Sequence, residues 1–192
     1  DNKYYSNNWR GKYSSDGGVL TNQAIHLLDT LIYNFGEIVN FNVMADFNRK
    51  KLEAEDLILI NFKHKNGTLS SFKATTRANN NYRSAIDVVG SKGRIIVKGV
   101  SLNTFSKFKN NNLVLNKRFS ENFGENLGAK GGMGFGHKKI LNEFLKNKKK
   151  SSKNIEIKNN YYLLKLIHSL YNSINYNKNL NKISNKESML GK

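Results

Sequence analysis

The sequence predicts an α+β fold: an open, mainly antiparallel sheet with helices packed on one face. Three observations carry that reading. Leu57–His64 and Thr68–Thr76 are runs with strand-like alternation on either side of Asn66-Gly67, a turn dipeptide that suits a tight hairpin. Further pairs of short runs follow in succession, which favours antiparallel neighbours over crossover connections. Two longer segments, one near each end, place apolar residues at helical spacing and supply the layer that covers the sheet.

The first helical segment runs from Asp16-Gly-Gly-Val-Leu-Thr-Asn-Gln-Ala-Ile-His-Leu-Leu-Asp29 to Gly36. Val19, Leu20, Ala24, Ile25, Leu27, Leu28, Leu31 and Ile32 make it a largely buried helix. Gly17 and Gly18 let the backbone enter without side chains in the way, and Gly36 is placed to close it as an αL cap. Asn22, His26 and Asp29 fall at i, i+4 and i+7 and so share one face. A polar stripe on a core helix costs stability unless it meets partners or a substrate.

Before this helix, residues 1–15 form an aperiodic arm with Tyr4, Tyr5, Trp9, Arg10 and Tyr13. Two readings fit: the aromatics beside Arg10 grip a base ring and a phosphate, or they staple the arm to the core. After it, Glu37–Phe47 reads as a strand, with Ile38, Asn40, Asn42 and Met44 on one face and Val39, Phe41, Val43 and Ala45 on the other. Ser84–Val89 with Arg94–Lys98, and Leu102–Lys109 with Leu113–Arg118, make two more hairpins. The sheet face left uncovered by helices suits contact between subunits.

Residues 119–136 carry six glycines and lead into a helix over His137–Asn147. Such a loop can bring backbone N–H groups to an anion, but its spacing matches neither a Walker A loop nor a dinucleotide fingerprint, which favours a surface loop. Ile155 and Ile157 suit a short strand. Tyr161–Tyr176, with Leu163, Leu166, Ile167, Leu170, Tyr171 and Ile174 in helical register, is the second amphipathic helix, and a final short strand is expected near Leu180–Ile183.

Composition narrows the function classes. The 192 residues suit one domain or two small ones, and no apolar run is long enough to span a bilayer. The absence of cysteine removes disulfides, thiolate metal sites and thiol nucleophiles, and fits a cytoplasmic setting. The net charge of +18 raises nucleic-acid binding, but the lysines are scattered through every segment, and abundant Lys, Asn and Ile with no proline match an AT-rich coding bias.

Among the histidines, His64 beside a hairpin turn is expected to face solvent, and His168 flanks the apolar stripe of the last helix. His137 opens a helix after the glycine loop and is a candidate ligand contact. His26 is the candidate for chemistry: an imidazole near its ordinary pKa can take a proton at neutral pH, as oxidation of an alcohol requires. A core histidine satisfied by Asn22 or Asp29 is the alternative. No metal site is expected, since His26 and Asp29 supply two ligands where zinc wants three or four. Glu53, Glu55 and Asp56 are read as a solvated connection and not as paired catalytic carboxylates.

Taken together, Tyr4-Tyr5, Trp9-Arg10-Gly11, the Gly-Gly-x4-Gln-x-x-His-x-x-Asp helix, Glu55-Asp56, Asn66-Gly67-Thr68, Ala74-Thr75-Thr76, Gly90-Ser-Lys-Gly93 and Gly134-Phe-Gly-His137 resemble the C-terminal half of the Gfo/Idh/MocA family of NAD(P)-dependent oxidoreductases. The resemblance covers nearly the whole chain. Its Trp-Arg-Gly arm and Asn22-Gln23 are most similar to members acting on nucleotide-linked sugars, such as UDP-N-acetylglucosaminuronate 3-dehydrogenases. It implies a glyceraldehyde-phosphate-dehydrogenase-like C-terminal domain over residues 1–192. One sheet face would pair subunits into a homo-oligomer, and the first helix would border a cleft facing a Rossmann domain that this chain does not contain.

It also implies that His26 is the active-site histidine, acting as base or orienting the sugar hydroxyl. Tyr5, Trp9, Arg10, Asn22 and His137 fall on the substrate side. Asn22 stands where many members carry aspartate, so His26 lacks that carboxylate partner one turn back. The NAD or NADP site belongs to the other domain, for no Gly-x-Gly-x-x-Gly follows a strand here, and the chain alone is expected to be inactive. A non-catalytic oligomerisation or sugar-nucleotide-binding module is the alternative, and a basic nucleic-acid-binding domain a weaker one.

Overall fold

In the computed structural model of the chain, the described residues are 5, 8–47, 52–78, 84–99, 102, 104–110, 141–142, 144–146, 157–175 and 181–182. They fall into two compact units, one of Asp1–Ala78 with Glu156–Lys192 and one of Asn79–Ile155. The first unit holds α1 (Val19–Asn22), α2 (Ile25–Phe35), β1 (Ile38–Asp46), β2 (Leu57–His64), β3 (Leu69–Thr75), α3 (Ile157–Asn175) and β7 (Asn181–Lys182). The second holds β4 (Ala85–Gly90), β5 (Gly93–Lys98) and β6 (Thr104–Asn110).

Among the described residues every pairing is antiparallel, as the succession of hairpins predicts, but the strands divide between two sheets. In the first unit the order is β3-β2-β1-β7; in the second it is β4-β5-β6. The β2–β3 hairpin turns at Asn66-Gly67, where Gly67 takes φ 88° and the Asn66 side chain accepts the Thr68 N–H at 3.0 Å. The expected strand at Leu113–Arg118, and the glycine loop with His137, lie outside the described residues. Residues 141–142 and 144–146 are helical, within the expected segment.

The period of two along β2 buries Ile58, Ile60 and Phe62 on one face, against Phe41 and Val43 of β1 and Phe72 of β3. Leu163, Leu166, Ile167, Leu170 and Tyr171 of α3 close over that face together with Val19, Leu20, Ala24 and Leu28. Complete burial of such a side chain contributes about 1.5–3 kcal/mol, so this layer supplies most of what holds the unit together. Met44, Leu59 and Leu69 are exposed on the opposite face.

Four expectations are corrected. A register shift between Ile38 and Asn40 turns Ile38 inward, onto the face of Phe41 and Val43 and not that of Asn42 and Met44. His64 does not face solvent: it sits in register with Ile58, Ile60 and Phe62 and is fully buried. Its Nδ1 pairs with the Gly36 carbonyl and its Nε2 with the Ser70 hydroxyl, both at 2.9 Å, which offsets the cost of burial. Ile157 opens α3 and is not part of a strand. Finally, Gly36 ends α2 with φ 82° but ψ −169°, a positive-φ conformation outside the αL region of the expected cap.

Candidate active site

The expected first helix is two helices. The Val19 carbonyl accepts from both Gln23 N–H (3.2 Å) and Ala24 N–H (2.9 Å), and the second of these, an i→i+5 bond, opens the turn. Asn22 therefore ends α1 while His26 and Asp29 belong to α2, and the stripe drawn from a continuous 3.6-residue period is broken after Asn22.

A buried carboxyl is fixed at the entrance to α1. The Glu55 carbonyl accepts the Val19 N–H at 2.9 Å and the Glu55 side chain accepts the Leu20 N–H at 2.9 Å. This residue, 1% exposed, caps from a distance the helix start that has no local side-chain cap. From α3, the Tyr171 hydroxyl donates to the same carboxyl oxygen at 3.1 Å and receives the Gly18 N–H at 3.3 Å. Tyr13 meets the Tyr171 ring edge-on at 5.6 Å. Gly18 is required by space, since a Cβ there would land on the Glu55 carboxylate, and Gly17 by its φ of 68°.

Burial first of all pushes the Glu55 carboxyl up from 4.5 to about 7, against the pull of its hydrogen bonds, and pushes the Tyr13 hydroxyl up to about 12. Asp56 is also fully buried, and Arg77 grips it through Nε at 2.9 Å and Nη2 at 2.6 Å while reaching Asp46 at 2.7 Å. These bonds from Arg77 hold the Asp46 carboxyl below the usual carboxylate range. The reading of Glu55 and Asp56 as a solvated connection is thus overturned: they are built into the junction of the arm, α1 and the sheet.

On the arm side, Asp16 is the gathering point. Its Oδ1 accepts the Gly11 N–H at 2.6 Å and its Oδ2 accepts the Asn22 side-chain amide at 2.7 Å. The Arg10 guanidinium lies 4.0 Å from Oδ2, and its Cζ sits over the Trp9 ring, 4.3 Å from the centroid. Arg10 and Asn22 are therefore brought together at one carboxylate, with Trp9 against Arg10. Trp9 remains exposed, and Tyr13 is what fastens the arm to the core.

The other inferred residues stand apart from that cluster. The Tyr5 hydroxyl donates to Thr76 at 3.0 Å, just past β3. His26 is exposed on α2; its backbone carbonyl accepts the Thr30 hydroxyl, and among the described residues nothing hydrogen-bonds its imidazole. Among the described residues, no group of three or more His, Asp or Glu is placed to hold a metal ion, and no helix is long and apolar enough to cross a membrane.

The residues that sequence reasoning missed are Asp16, Glu55 and Tyr171. A signal existed for two of them. Asp16 directly precedes the glycine pair, and only Asp56 separates Glu55 from the apolar run of β2. Tyr171 looks like one more apolar position on its helix.

Solved structures with this fold include two WlbA dehydrogenases in complex with NADH and UDP-GlcNAcA. The one from Bordetella pertussis is 20% identical, with a TM-score of 0.75 over 97% of this chain and 51% of that one. The one from Chromobacterium violaceum is 20% identical, with a TM-score of 0.78 over 97% and 52%. A levoglucosan dehydrogenase in complex with NADH and levoglucosan is 17% identical, with a TM-score of 0.68 over 93% and 54%. The chain spans about half the length of these structures. No curated protein sequence matches it. The family model of the GFO/IDH/MocA C-terminal domain matches residues 1–96, the stretch that carries the arm, the broken helix, Glu55-Asp56 and the first hairpin. The arm, glycine pair and broken helix thus lie on the matched half of an antiparallel α+β fold, and this chain belongs to the Gfo/Idh/MocA C-terminal domain family.

Proposed function

We propose that the chain is the substrate-binding half of an NAD(P)-dependent oxidoreductase that oxidises a hydroxyl of a sugar or sugar nucleotide. The observation that carries the proposal is the exposed imidazole of His26, on a helix whose other face is core, a short distance along the chain from the Arg10–Asp16–Asn22 cluster. An imidazole open to solvent can accept the hydroxyl proton or orient it. Arg10 and Trp9 offer a cation and a stacking face for an anionic nucleotide. The complexes of the similar structures with UDP-GlcNAcA and levoglucosan support a carbohydrate ligand.

Oxidation also needs a hydride acceptor. The sequence carries no Gly-x-Gly-x-x-Gly after a strand, and the nicotinamide cofactor would be held by a Rossmann domain outside these residues. What these residues contribute is the substrate side: Arg10, Trp9 and Asn22 bind, and His26 handles the proton. A cytoplasmic location fits this cofactor use and the lack of cysteine.

The test uses the protein as its gene encodes it, with UDP-GlcNAcA and NAD as probes. His26→Ala should lower kcat by about 10²-fold or more with an unchanged melting temperature. Turnover at the wild-type rate would remove His26 from the mechanism.

A second reading concerns assembly. Met44, Leu59 and Leu69 are exposed on the sheet face opposite the helices, and a patch of this kind suits pairing with a second copy. Leu59→Lys should then shift sedimentation toward the monomer. A species that is monomeric at high concentration before the change counts against pairing.

A further inference from the structure

The geometry points to Asp16 as a positioning residue that decides which end of the Asn22 amide a ligand meets. This inference rests on the substrate reading of the cluster given above. A carboxylate accepts hydrogen bonds and donates none, so the 2.7 Å contact of Asp16 Oδ2 with Asn22 commits the amide nitrogen to Asp16. The other carboxylate oxygen is held by the Gly11 N–H at 2.6 Å, so the carboxylate cannot turn away without giving up the arm. Asn22 in turn is held at the end of α1 by its own N–H on the Gly18 carbonyl at 3.1 Å. What Asn22 then has left for a ligand is Oδ1, an acceptor, together with the second hydrogen of its amide. A ligand group that fits Oδ1 is a donor, such as a sugar hydroxyl or an acylamino N–H, and a bare ether or carbonyl oxygen placed there is disfavoured.

The pairing has a property that a mere packing contact lacks: it can be inverted. In D16N the new amide nitrogen faces the Asn22 nitrogen, so Asn22 must turn and offer its NH₂ to the ligand. In N22D two carboxylates meet at hydrogen-bond distance, and both cannot be ionised. The charged group facing them is Arg10 on the arm, 4.0 Å from Asp16, while α1 itself carries none. In the double variant D16N/N22D the amide now at position 16 accepts from Gly11 and donates to the carboxylate now at position 22. That carboxylate again leaves an acceptor for the ligand.

The experiment is calorimetric titration of UDP-GlcNAcA, with NADH present, into the protein as its gene encodes it, for the wild type, both single variants and the double variant. Melting curves check each fold. The single variants should each weaken binding about tenfold near pH 8, the size of one lost hydrogen bond. The N22D defect should shrink toward pH 5, where one shared proton restores the bond. The double variant should return to within about threefold of wild type, a coupling that independent sites do not give. Binding by the wild type with a double variant no better than the worse single one overturns the positioning role alone. A wild type that does not bind UDP-GlcNAcA overturns the substrate reading and this inference with it.

Discussion

Glu55→Gln isolates what the buried carboxyl does to stability. The folded protein raises the Glu55 pKa from 4.5 to about 7, chiefly because burial disfavours the charged form. Between those values the unfolded chain has lost its proton while the folded chain keeps it. The folded state then binds more protons, so stability falls as pH rises. The contribution of the group is complete below pH 4.5 and is lost as pH passes through about 7. At 1.36 kcal/mol per pKa unit the whole effect is about 3 kcal/mol.

Glutamine keeps the oxygen that accepts from Leu20 and Tyr171 and cannot ionise. The variant should match the wild type near pH 5 and be about 3 kcal/mol more stable relative to it near pH 8. Urea unfolding at several pH values, plotted as the difference between the two proteins, cancels the other titrating groups. A difference that stays flat between pH 5 and pH 8 would refute the argument that this carboxyl is held in a dry site.

Three further outcomes follow from the packing. Gly18→Ala sets a methyl against the Glu55 carboxylate and should cost about 1–3 kcal/mol, read by the same urea titration. Arg77→Ala leaves the fully buried Asp56 without its guanidinium and should cost about 3 kcal/mol, whereas Asp46→Asn, at the exposed end of the same arginine, should cost under about 1 kcal/mol. Equal losses would contradict the burial difference. Leu166→Ala, at the centre of the α3 layer, should cost about 2–5 kcal/mol by cavity formation, measured as a fall in the urea midpoint at constant slope.

Much of the fold was legible because its signals are local. Asn66-Gly67 fixes the first hairpin, and the alternation from Leu57 places β2 at the residues observed. The spacing of Leu163, Leu166, Ile167 and Leu170 identifies α3 and its buried face. What was not legible depends on pairings remote in sequence. Nothing near Gly18 tells that its space is taken by Glu55, nor near Glu55 that its hydroxyl partner lies on α3 at Tyr171. The break after Asn22 is invisible to a helical period, since Val19 to Ile32 fits one turn length throughout while the bonds of Val19 do not. His64 was misread for a related reason: a turn nearby suggests solvent, but strand parity decides which way a side chain points.

The interruption between α1 and α2 gives Asn22 and His26 separate foundations. Asn22 is moored through α1 to the arm, to Glu55 and to Tyr171, while His26 rides on α2, whose N-cap residue, Ala24, makes no side-chain cap hydrogen bond. Under the proposed function, changes beneath α1 would retune which hydroxyl or amide is recognised and leave His26 where it is.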